Sequence, residues 1–141
     1  MRRDSYSRPR RLALGAEALG CLAVARAAVI FLPFRVVSRW LGVRMGETPA
    51  AVETSPRSRD VNWGIGAAAC RVPWRAKCLE QAIAAKMMLR RRGVHSTLYL
   101  GVTREPMAAH AWVRVGGWNV TGGQDVSRYA VVASFADVER S

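Results

Sequence analysis

The chain has 141 residues, enough for one domain whose core needs no disulfide staples. Half of its residues are hydrophobic, which excludes a disordered chain, and three cysteines (Cys21, Cys70, Cys78) with two histidines offer neither a disulfide framework nor a zinc site. The net charge of +12 is spread evenly, with eleven basic and five acidic residues in each of the segments 1–60 and 61–141, which argues against a detached basic tail that carries it all.

Residues 1–11 are polar and arginine-rich and read as a disordered tail. Residues 12–42 are apolar and helix-compatible, with Leu12, Leu19, Leu22, Val29 and Ile30 as expected anchors and Pro33 ending the helix. A shorter helix from Phe34 to Leu41 should stop at Gly42. Glu17, Arg26 and Arg35 break the apolar run too often for a membrane span, and Glu17 also argues against an export signal before Ala23-Val24-Ala25. The segment reads as a soluble helical subdomain or a partner-docking helix of a cytoplasmic protein, where a free reactive thiol is at home.

Residues 43–59, with Gly46, Pro49, Ser55, Pro56 and Ser58, read as a linker before a domain at 60–141. A helix is expected from Val61 to Cys70, and Pro73 resets the chain. The clearest helix runs from Lys77 to Arg92, with Gly93 at its left-handed stop. Val94 to Val102 alternates as a strand does. Ala111 to Val115, Gly116-Gly117 and Trp118 to Thr121 form an expected hairpin, and Tyr129 to Phe135 a last strand. Helices first and antiparallel strands after make an α+β fold.

Two residues carry the expected chemistry. Cys78 opens the clearest helix, where exposed backbone N–H groups favour a thiolate and could hold an oxyanion. Cys78, Ala82, Ala85 and Leu89 share one side of that helix, and the alanines allow a close approach to a sheet. His110 opens a strand and shares its parity with Trp112 and Arg114, so Trp112 can shield the imidazole. A third group should orient that ring. Asp125 is the nearest carboxylate past the hairpin, and Thr121 and Asn119 are polar alternatives. Arg90-Arg91-Arg92 reads as a solvated helix end, and no nucleic-acid-binding signature accompanies it. The tryptophans Trp63, Trp74, Trp112 and Trp118 read as core or cleft walls.

The runs Trp74-x-x-x-Cys78-Leu79-x-Gln81-Ala82, Met88 to Val94, Leu98 to Val102, Ala109-His110-Ala111-Trp112-Val113, and Thr121 to Val126 with Arg128 to Val131 resemble the stand-alone leader peptidases of lasso-peptide biosynthesis. The resemblance implies a transglutaminase-like, papain-like cysteine protease core behind N-terminal helices. It implies no cofactor and three partners: a ribosomally made precursor peptide, a leader-binding protein and an ATP-dependent cyclase. Cys78 carries over as nucleophile and His110 as base. The family's acidic member falls at Gly122 here, so Asp125 substitutes or the site acts as a dyad. An acyl transferase would use the same pair, and a catalytically silent precursor scaffold would explain the missing acid.

Overall fold

The computed structural model describes residues 6–46, 48, 56–72, 77–104 and 107–137. Its elements are α1 (Arg8–Phe31), α2 (Phe34–Leu41), a short β1 (Val43–Arg44), α3 (Pro56–Ala69), α4 (Cys78–Arg91), β2 (Thr97–Arg104), β3 (Met107–Val115), β4 (Trp118–Thr121) and β5 (Ala130–Ala136). The strands form one antiparallel sheet in the order β1-β5-β2-β3-β4.

The long N-terminal helix starts earlier than its composition suggests. The Ser7 side chain accepts from the Arg10 N–H, and Pro9 sits in the first turn, where its missing N–H costs nothing. Residues 8–11 are therefore helical rather than a tail. At the other end Leu32 adopts an extended backbone before Pro33, as steric exclusion of helix geometry before proline requires. The inward stripe of α1 is Leu14, Ala18, Cys21, Leu22 and Ala25. Of the expected anchors only Leu22 is buried; Leu12 is 68 % exposed, and Leu19, Val29 and Ile30 also face outward. The helical period and the small Ala18 and Ala25 decide which face closes on the neighbouring helices, not the largest side chains.

Charge then locks α1 to α4. Glu17 pairs with Arg91 at 2.9 Å and Arg92 at 2.6 Å, and Arg26 pairs with the buried Glu80 at 3.0 Å. The expected solvated arginine cluster is thus a tertiary clasp: Arg90, its first member, pairs with Asp137 and lies over the Trp40 ring. α3 begins at Pro56, inside the expected linker, and its buried Asp60 accepts from Tyr6 and Arg10 of the N-terminal segment. Residues 47 and 49–55 of that linker, and Pro73 and Trp74, lie outside the described residues. One buried cluster runs through α1, α2, α3, α4 and one face of the sheet, so the N-terminal helices and the expected 60–141 domain share a core.

β3 shows how the sheet divides its faces. Ala111, Val113 and Val115 are buried in the cluster beneath the helices. Trp112 is also buried, but it stacks with Tyr99 on the outer face. The hairpin pairs Val115 with Trp118, as expected for a Gly116-Gly117 turn. A bulge between Val113 and Arg114 then shifts the register, so Thr121 pairs with Val113 rather than Trp112.

Candidate active site

The two candidate residues lie at the head of α4 and on β3. Cys78 is the first helical residue, half-buried and packed against the core, while Ala82, Ala85 and Leu89 on the same side are fully buried. The N-cap is Lys77, whose side chain makes no capping bond, so the first-turn N–H groups are not capped from that position. β3 starts at Met107, so His110 sits within the strand rather than at its mouth.

The foot of α4 fixes where its head lies. Lys86 Nζ donates to Ser96 O and to Asp137 Oδ2, each at 3.0 Å. This holds the lower half of α4 at the sheet end where Thr97 pairs with Arg114 and Ala136. About 12 Å of helix leads from Lys86 back to Cys78. About 13 Å of strand leads from Thr97 to Gly101, and Gly101 pairs with His110. α4 packs on β3, the strand that carries His110. His110 belongs to the outer face with Trp112, whereas α4 lies on the inner face, and no hydrogen bond joins Cys78 to His110 among the described residues.

The group on the imidazole is a backbone atom. His110 Nε2 lies 2.8 Å from Gly122 O. A carbonyl only accepts, so Nε2 carries the hydrogen and Nδ1 of the neutral ring is the basic nitrogen. Gly122 has a φ of 87°, and a Cβ there would fall on Trp112 Cβ and lie 3.1 Å from His110 Nε2. Only a residue without a side chain can turn its carbonyl into this position. The ring is further packed by Tyr129 at 4.8 Å and Trp112 at 5.7 Å between centroids.

The three alternatives for the orienting group are placed elsewhere. Asp125 is exposed and accepts from Ser127 N and Oγ, at 3.2 and 2.8 Å, a local turn that holds its carboxyl below the usual range. Asp125, expected at the imidazole, bonds along its own loop, and the atom at hydrogen-bond distance from His110 Nε2 is Gly122 O. Asn119 Nδ2 donates to Gly123 O, and Gln124 bonds the Asn119 backbone in both directions. Thr121 Oγ1 is buried without a hydrogen-bond partner in the described structure. Sequence reasoning looked for a side chain and so missed a carbonyl; the signal was the Gly122-Gly123 pair ending β4. Tyr129 was also missed as a neighbour of His110, because the contact crosses from β5 over β2 to β3.

A model of the transglutaminase-like superfamily matches residues 19–134. The chain belongs to the transglutaminase-like superfamily. No curated protein and no solved structure matches it. The superfamily includes cysteine peptidases and acyltransferases, and its α+β fold is the architecture found here. Its match begins inside α1, consistent with a core that the N-terminal helices share.

Proposed function

We propose that this superfamily member is a cysteine peptidase that removes the leader from a lasso-peptide precursor in the cytoplasm, together with a leader-binding protein and an ATP-dependent cyclase. The single observation that carries the reading is the 2.8 Å contact of His110 Nε2 with Gly122 O, which leaves Nδ1 as the base on the strand that α4 packs against. The superfamily membership and the motif runs around Cys78 and His110 support the same assignment.

The mechanism is nucleophilic catalysis. Nδ1 of His110 takes the Cys78 proton, and the thiolate attacks the carbonyl at the leader–core junction. Backbone N–H groups at the head of α4 stabilise the tetrahedral oxyanion. The imidazolium protonates the leaving amine and releases one peptide fragment. Water, deprotonated by His110, then cleaves the thioester, so the step needs no cofactor.

Incubation with a precursor peptide and its leader-binding protein, read by mass spectrometry, tests this. Cys78→Ala should abolish cleavage, by about three orders of magnitude or more, with the circular dichroism spectrum unchanged. Full activity in that variant would overturn the assignment. A dihaloacetone that bridges a thiol and an imidazole should cross-link Cys78 to His110. A second reading is favoured by the neutral group opposite His110: a silent scaffold, whose Cys78 would react with electrophiles no faster than a free thiol. Transfer to an added amine in place of hydrolysis would mark an acyl transferase.

A further inference from the structure

Every turnover of the proposed peptidase makes His110 a cation, and the atom fixed on its Nε2 is a neutral carbonyl rather than a carboxylate. What else faces the ring therefore matters. Tyr129 stacks at 4.8 Å and 29°, and Trp112 at 5.7 Å and 27°. Tyr129 and Trp112 are themselves 6.0 Å apart. The three separations place the rings of Tyr129 and Trp112 beside one another against the imidazole.

Gly101 makes this arrangement possible. It lies in the middle of β2, paired with His110 on one flank and with Val131 on the other. A Cβ at position 101 would lie 2.9 Å from two atoms of the Trp112 ring and 2.9 Å from Tyr129 Cβ. Any side chain there would push both rings away from the imidazole.

We propose that Tyr129 is a positioning residue of this site, its Cβ set against the bare backbone of Gly101 so that its ring orients His110 and stabilises the imidazolium in place of a carboxylate. The inference rests on the peptidase reading, since it needs His110 to become charged. The π face of a tyrosine attracts a cation, and the attraction grows as water is excluded. Among the described residues, the charged groups on these rings are cations. Arg128 lies over the Tyr129 ring at 5.1 Å and donates to its hydroxyl at 3.0 Å, and Arg114 lies over Tyr99 at 5.6 Å. Both are cations, and Asp125 is engaged with Ser127.

The test compares Tyr129→Phe, Tyr129→Leu and Gly101→Ala in two assays: precursor cleavage, and the rate of Cys78 alkylation by iodoacetamide as a function of pH. Tyr129→Phe keeps the ring face and loses only the hydroxyl that accepts from Arg128, so it should keep the position of the profile and lose clearly less activity than the leucine variant. Tyr129→Leu should lower kcat by about three- to thirty-fold with little change in KM. It should also move the acid limb of the alkylation profile to higher pH, because the thiolate loses its imidazolium partner. Gly101→Ala should reproduce both changes with Tyr129 intact, which keeps the proposal testable if the leucine variant does not fold. Tyr129→Leu that slows cleavage without moving the profile would overturn it, as would equal losses in the phenylalanine and leucine variants. Failure of the unmodified chain to cleave, with Cys78 no more reactive than a free thiol, would instead sink the peptidase reading itself.

Discussion

The two ends of α4 are built on opposite plans. At the C-terminal end the charges are paired: Lys86 is fully buried on Ser96 O and Asp137, Arg90 grips Asp137 at 2.7 Å, and Arg91 and Arg92 hold Glu17. At the N-terminal end Cys78 is half-buried and its N-cap offers no side-chain bond. The clamp ties the foot of α4 to the sheet, and Cys78 stands at the opposite end of the same helix. The anchoring network and the reactive group therefore lie on one rigid element and share no atoms.

The clamp is electrostatically costly. Burial lowers the Lys86 ammonium to about 8, against the pull of Asp137. Burial also pushes Asp137 upward, but Lys86 and Arg90 together outweigh it and hold the carboxylate below its ordinary range. The two directions agree physically: Lys86 has no exposed surface and one carboxylate partner, whereas Asp137 faces two cations.

If the division of labour is real, substitutions at the two ends should affect different observables. The largest effect on chemistry is expected from Gly122→Ala. The new Cβ meets Trp112 and crowds His110, so the carbonyl leaves Nε2, and a misplaced base slows cleavage by about a hundredfold. Single-turnover cleavage measures this; a rate near that of the unmodified chain would show that Gly122 O does not orient the ring. Next comes the clamp. Asp137→Ala leaves the Lys86 ammonium buried without its carboxylate and should destabilise by about 3–5 kcal/mol in urea unfolding, whereas Lys86→Met should be near neutral. Cleavage per folded molecule should stay constant in both, and a parallel loss of rate would mean that the ends are not separable.

A smaller, graded effect is expected from pH. The Arg92 hydrogen bonds hold Glu17 below its usual value, as Lys86 and Arg90 hold Asp137. The unfolded chain then binds more protons, so this stability is complete above the ordinary carboxylate values and is lost as pH falls through the lowered ones. Between about 8 and the ordinary lysine value of 10.5 the unfolded chain again binds more protons at Lys86, so stability rises with pH there. Unfolding midpoints measured across both windows should lose the acid slope in part in Asp137→Asn and the alkaline rise in Lys86→Met. The smallest effect belongs to Asp125→Ala, which breaks only the exposed turn to Ser127 and should leave the cleavage rate as it is.

Much of the fold is legible in the chain. The limits of α2 coincide with the expectation from Pro33 and Gly42, α4 begins at Cys78 and stops at Gly93 in the left-handed region, and the Gly116-Gly117 turn pairs Val115 with Trp118. Each of these is settled by residues within a turn or two. The inward face of α1 was misjudged because Leu12 is more hydrophobic than Ala18, yet Ala18 is the one that lets two helices meet. The arginine cluster was misjudged because its partner, Glu17, is 75 residues away from Arg92 along the chain.

What the amino-acid order determined alone is where helices and strands begin, and hence that a thiol heads a helix and an imidazole lies on a strand. Backbone preference acts over a few residues, and those residues are adjacent in the chain. Tertiary structure alone decided that, among the described residues, the ring of His110 meets a carbonyl and the Tyr129 ring, not a carboxylate. The bulge in the hairpin, the bare Gly101 and the left-handed Gly122 decide it by shape, because a backbone oxygen is chemically the same in every residue and only packing tells it where to point.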